Sequence, residues 1–89
     1  MMPLYGENVM GNKEPRITFQ PYVVFPGEER PVLRKEYPTA KEAALSAVRH
    51  GGNAVCERRY SYVEDARKYC VTSAIMHPVI NFLDDESEN

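Results

Sequence analysis

His50, Cys56, Cys70 and His77 carry the donor atoms that zinc prefers. A zinc site of such donors is normally opened by a close pair, with about two to four residues between its members. Here five, thirteen and six residues intervene, a spacing that fits no standard finger. His50 is equally at home at a helix C-terminus, and His77 directly precedes Pro78. No metal and no other cofactor is expected. A thiolate nucleophile at Cys56 or Cys70 needs a histidine base and a third group to orient that base. No pattern nominates the third group, so no catalytic residue and no enzymatic activity is expected. A pair of cysteines is too few for a disulfide framework, and in a reducing cytoplasm both should remain thiols.

The richer constellation is basic and aromatic. Arg58-Arg59-Tyr60-Ser61-Tyr62 and Arg67-Lys68-Tyr69 interleave cations with rings. Guanidinium groups neutralise phosphates and tyrosine rings stack on unpaired bases. The same residue types also dominate protein interfaces, and tyrosines at a sheet rim with arginine stems laid over them would be structural. Candidate partner-binding residues are therefore Arg58, Arg59, Tyr60, Tyr62, Arg67 and Lys68. On the sequence alone, reversing Arg58 and Arg59 to Glu should weaken binding and leave melting nearly unchanged. A pI of about 5.6 speaks against a dedicated nucleic-acid binder, which is usually strongly basic.

The charge is unevenly distributed. The net value is −2, yet residues 30–68 sum to +4 while residues 69–89 sum to −4, all of it in Asp84, Asp85, Glu86 and Glu88. A basic middle with acidic ends can present a charged face to a partner. With 89 residues, 43% of them hydrophobic, the chain has the composition of one small globular domain. A domain of this size buries only roughly 60–65% of its unfolded surface, which favours a binding module or subunit over an enzyme with a deep cleft. No apolar run approaches the roughly 18 residues of a membrane span. The N-terminus lacks the pattern of a secretory signal, so a cytoplasmic address is expected.

The elements that must carry these residues begin after a stretch, Met1–Glu14, read as a flexible arm. Ile17 and Phe19 alternate with polar neighbours and lead into Tyr22-Val-Val-Phe25, a strand pattern. Pro21 within it points to an edge or a bulge. Phe25-Pro-Gly-Glu28 is a turn, and Val32–Tyr37 should pair back as a second strand. Thr39-Ala-Lys-Glu42 is a capping box, opening an alanine-rich helix over 40–50 that Gly51 closes. Its small-residue face should be Ala43, Ala44, Ala47 and Val48, with Leu45 at the margin. Asn53–Tyr60 should return as a strand. Ser61-Tyr-Val-Glu64 resembles a second capping box, so a short helical turn from Tyr62 to Lys68 is expected before a strand at Tyr69–Ile75. A hairpin around Glu64-Asp65 is the alternative. Val79–Leu83 should dock on the core, and Asp84–Asn89 should be a disordered acidic tail. The expected fold is α+β: a small antiparallel sheet of three to four strands, the helix 40–50 packed on one face, room for a second short helix, and one domain over 15–83.

The strand pair, then Tyr37-Pro-Thr-Ala-Lys-Glu-Ala-Ala-Leu-Ser-Ala-Val48, then the strand at Asn53–Tyr60, resembles the layout of small phage-encoded inhibitors. Anti-CRISPR proteins and short phage inhibitors of RNA polymerase are similar in size and arrangement. The likeness covers about 35 residues, which are capping and helix residues, and carries over no site residue. It implies a viral protein of the host cytoplasm that works by stoichiometric binding to a host protein complex, blocking a nucleic-acid-processing machine. The alternatives are a module binding RNA or single-stranded DNA through segment 58–69, and a small structural or accessory subunit.

Overall fold

The computed structural model describes residues 13–87. Of the expected arm Met1–Glu14, residues 1–12 lie outside the described residues, while Lys13 bonds Glu64 and Glu14 O accepts from Tyr69 OH. The remainder is an α+β arrangement: β1 (Arg16–Phe25), β2 (Glu28–Pro31), α1 (Ala40–Arg49), β3 (Ala54–Val63), β4 (Lys68–Pro78) and α2 (Ile80–Ser87). The four strands form one antiparallel sheet in the order β2-β1-β3-β4.

Gly27 takes φ +79° after Pro26, so the turn is tight and Phe25 pairs directly with Glu28. The second strand therefore starts at Glu28 and stops at Pro31, which overturns the expectation of a strand over 32–37. Only Tyr37 rejoins the sheet, exchanging hydrogen bonds of 2.7 and 2.9 Å with Phe19. Between these two contacts the outer side of β1 has a gap, and Pro21 sits there. Its carbonyl accepts from Val32 N–H on that side, so its missing N–H also faces the gap and no bond to β3 is lost. A proline in an internal strand is tolerated for that reason.

Helix α1 is capped as its sequence requires, with the Thr39 hydroxyl accepting from Glu42 N–H at 3.2 Å. Ala43, Ala44 and Ala47 are buried, but the fourth buried position is Ser46, while Val48 is 52% exposed. Ser46 and Val48 flank the alanine face on opposite sides of the helix, and it is the Ser46 side that Tyr37 covers. The Ser46 hydroxyl is accommodated by accepting from Tyr37 OH at 2.9 Å. Gly51 takes φ +85°, and Gly52 lies so close to β1 that a Cβ there would meet Tyr22 O at 2.6 Å. Asn53 then ties the exit to β1. Its backbone N–H donates to Tyr22 O, its Oδ1 accepts from Val24 N–H, and its Nδ2 donates to Val24 O.

Strands β3 and β4 form a long hairpin in which Val63 pairs with Lys68 across the turn 64–67. The helical turn expected at Tyr62–Lys68 is absent. Ser61 cannot cap a helix because it lies within the ladder, opposite Cys70. Arg67 closes the turn at φ +56°, with its N–H donating to Val63 O at 2.8 Å. A bulge at Thr72 shifts the register between Arg59 and Tyr60, and the Thr72 hydroxyl donates to Arg59 O. After Pro78 the chain turns into α2. Val79, Phe82 and Leu83 fall on one helical face and pack with Phe19 and Tyr37 against the buried cluster Ala43, Ala44 and Val55. Helical backbone continues through Ser87, into the stretch read as an acidic tail.

Candidate functional site

Strand alternation divides the basic-aromatic segment between two sheet faces. Val55 pairs with Pro21 and belongs to the core under α1; Glu57 and Arg59, in register with Phe19 and Ile17, share that face. Arg58, Tyr60 and Tyr62 point the other way, in register with Thr18, Arg16 and Tyr69. Arg67 and Lys68 are exposed at the hairpin tip. The six residues therefore make three sets, and Arg58, Tyr60 and Tyr62 are the ones brought together on one surface.

That surface is held by a continuous polar network. Arg58 donates from Nη1 to Gln20 Oε1 and from Nη2 to Tyr22 OH at 2.8 Å, and its Nη1 lies 3.5 Å from Glu36 Oε2. Its guanidinium sits 5.7 Å from the Tyr22 ring centroid. Gln20, almost fully buried, donates in turn to Leu33 O at 2.7 Å. Glu36 accepts from Thr18 at 2.6 Å and from Tyr60 OH at 2.9 Å. Burial and the neighbouring Glu36 carboxylate both push the Tyr60 phenol up from its ordinary value. Further along, Tyr62 and Tyr69 meet edge to face at 5.5 Å. Arg16 lies 4.0 Å over the Tyr69 ring, and Lys13 lies 5.0 Å over Tyr62 while pairing with Glu64 at 2.8 Å. That ion pair holds the Lys13 ammonium above its usual range.

On the α1 face, Glu57 is the centre of a smaller cluster. Its Oε1 lies 2.8 Å from His77 Nε2 and its Oε2 accepts from Arg59 Nε at 3.0 Å. The His77 hydrogen bond, then Arg59, hold the Glu57 carboxyl below the usual carboxylate range. The His77 ring also meets Phe82 edge to face at 5.5 Å, which pins the imidazole between β4 and α2.

The metal-ligand candidates do not converge. Cys56 is buried on the face away from α1, where desolvation raises its thiol pKa, and His77 is committed to Glu57 on the other. His50 Nδ1 lies 2.9 Å from Ser46 O at the helix end. Among the described residues, no group of three or more His, Cys, Asp or Glu side chains could hold a metal. Both cysteines are free. No helix among the described residues is long and apolar enough to cross a membrane.

Sequence reasoning missed Glu36, Thr18, Gln20 and Tyr22, which complete the network around Arg58. Period-two alternation would have grouped Thr18, Gln20 and Tyr22. Glu36 had no such signal, because its place depends on the irregular crossing from Pro31 to Tyr37. No protein-family model matches this chain, and no curated protein or solved structure shows significant similarity to it.

Proposed function

We propose that this protein is a small, non-catalytic protein-binding module that acts by stoichiometric contact through the tyrosine-arginine face of its sheet. In this proposal α1 is the main helix and backs one face of the sheet, leaving the other for the partner. The observation that carries it is the preorganisation of Arg58, Tyr60, Tyr62 and Tyr69. Arg58 and Tyr60 are fixed by hydrogen bonds and the two other rings by edge-to-face packing. Rigid aromatics and a held arginine lose little conformational freedom on docking, and they are the residue types that dominate binding energy. Glu36 lies at the centre of the same face, which favours a protein partner over a phosphate backbone.

Read with the layout resemblance, the partner is a host protein complex that handles nucleic acid, and the module is a phage-type inhibitor of the host cytoplasm, where Cys56 and Cys70 stay reduced. Affinity capture from nuclease-treated host lysate should retain one specific complex with the wild type. Tyr62→Ala together with Tyr69→Ala should abolish that capture and leave the circular dichroism spectrum folded. Capture that survives the double substitution sinks the assignment of the face. Tight oligonucleotide binding that falls steeply with salt would instead place the chain among single-strand binders.

A further inference from the structure

We infer that Arg16, stacked on Tyr69 beside a depression lined by Glu36, anchors a carboxylate side chain of the partner, so that the partner presents an acidic segment to the tyrosine-arginine face. This rests on the reading of that face as the contact surface and names the chemistry it selects. Arg16 is fixed twice. Its backbone pairs with Tyr60 at the start of β1, and its guanidinium lies 4.0 Å from the centroid of the Tyr69 ring. That ring is itself held, edge to face with Tyr62 at 5.5 Å and through its hydroxyl, which donates to Glu14 O at 3.0 Å. A guanidinium laid on a ring keeps the edges of its planar fork open to acceptors. Among the described residues, Arg16 has no hydrogen-bond acceptor and no carboxylate within ion-pair distance. The depression of about 250 Å³ beside it is lined by Arg16, Thr18, Glu36, Tyr60 and Tyr69.

The charges around this depression select the occupant. Glu36 is already engaged: Thr18 and Tyr60 donate to it, and Arg58 Nη1 stands 3.5 Å from its Oε2. Lys13, over the neighbouring Tyr62 ring, is matched by Glu64 at 2.8 Å. Glu14 lines a separate depression with Lys13, Tyr62 and Glu64. Arg16 is therefore the cation at these rings that lacks a counter-charge. Arg34 and Lys35, both exposed, immediately precede Glu36 and keep its surroundings positive. A cationic side chain entering here meets Arg16 and Arg58 and is repelled. A carboxylate meets a fork of matching shape and can accept two charge-assisted hydrogen bonds from it. The fixed Glu36 carboxylate tolerates one negative charge beside Arg16 and opposes the row of charges that a phosphate backbone would bring.

The test is a heteronuclear NMR titration of the full-length chain with a blocked peptide, acetyl-Gly-Glu-Leu-Asp-Gly-amide, against its uncharged counterpart, acetyl-Gly-Gln-Leu-Asn-Gly-amide. The acidic peptide should shift the Arg16 Nε–H signal and the amides of Tyr60 and Tyr69, with half-saturation at about 1–10 mM. The uncharged peptide should leave them in place. Arg16→Gln should weaken binding of the acidic peptide about tenfold, and Arg16→Lys, which keeps the charge and loses the fork, about threefold. Arg16→Gln should also reduce capture of the partner from nuclease-treated lysate. Equal shifts with both peptides, or an Arg16 signal that neither moves, overturn the inference. So does a tighter response to a thymidine oligonucleotide than to the acidic peptide, which would make Arg16 a phosphate contact. The titration is made on the wild type, so it stands even where a variant fails to fold. If Tyr62→Ala with Tyr69→Ala abolishes capture but Arg16→Gln does not, the face is the contact and the carboxylate anchor is wrong. If capture survives the two ring substitutions, both readings fall.

Discussion

Arg58 and Arg59 are neighbours in sequence with opposite roles. Arg58 bonds Gln20 and Tyr22, approaches Glu36, and has a side chain only 20% exposed. Removing it strands a buried amide and a carboxylate, so Arg58→Gln should lower unfolding free energy by about 2 kcal/mol. Arg59 has a side chain 53% exposed, and its partner Glu57, itself largely buried, keeps the His77 hydrogen bond when Arg59 is lost; Arg59→Gln should cost less than Arg58→Gln, about 1 kcal/mol or below. Urea titration of both variants checks the contrast, and equal effects would refute the network. This reverses the expectation that charge at both positions could be altered without touching stability. Glu57 gives a pH signature. Its carboxyl is held down by His77 first and Arg59 second. The folded state thus binds that proton more weakly than the unfolded state, so the stabilisation is present above the ordinary value of 4.5 and is lost as pH falls below it. Glu57→Gln should make the acid limb of the stability curve shallower. Tyr60 behaves in the opposite sense. Burial and Glu36 raise its pKa, so its contribution holds below the ordinary 10.0 and disappears as pH rises beyond it. In Tyr60→Phe the alkaline loss of stability should be smaller.

At the scale of elements, α1 depends on its two ends and one face. Thr39→Ala removes the acceptor for Glu42 N–H and should cost about 1 kcal/mol in thermal or urea unfolding. Ala44 is fully buried against Val55. Ala44→Asp places an unpaired carboxylate there and should cost more, about 3 kcal/mol or above. Melting within a degree of wild type would show that α1 does not pack there. At the C-terminal end Gly52 has no room for a side chain, because β1 approaches at Tyr22 O. Gly52→Ala must push α1 away from β1, so it should destabilise, whereas Gly27→Ala meets only its own backbone strain and no neighbouring atom. The β3–β4 hairpin also explains the position of Arg67. Its φ of +56° suits Asn or Gly better, and Arg67→Gly should be neutral or slightly stabilising.

At the scale of the molecule, Val55 of β3 joins Ala43 and Ala44 of α1 in the buried cluster, while tyrosines and held cations alternate on the opposite side of the strands. The two edges of the sheet differ just as sharply, one charged and short, the other neutral and long. Tyr62→Ala with Tyr69→Ala should remove partner capture while leaving the urea unfolding midpoint close to that of the wild type, because both rings lie on the face away from the buried cluster.

Local chemistry was sufficient for some of this. The Thr39 cap, the alanine run and Gly51 determined α1 from residues within four positions of one another. Alternation at Ile17 and Phe19 marked the start of β1, and the apolar run Ala54–Cys56 marked the start of β3, both being properties of adjacent residues. Tertiary structure decided the rest. Ser61-Tyr-Val-Glu64 satisfies a helix cap locally, yet pairing with Cys70 and Tyr69 across the hairpin satisfies more backbone groups at once. Pro21 looked like an edge marker, but its side of β1 happens to face a gap that only the path from Pro31 to Tyr37 creates. The candidate site was half legible. Arg58, Tyr60 and Tyr62 could be named from their types, and alternation separates them from Arg59. That Glu36, which is 22 residues away from Arg58, would bond Tyr60 and approach that arginine depends on where an irregular segment crosses the sheet. No period or propensity encodes that crossing; it is set by the packing of Tyr37 on Phe19 and Ser46.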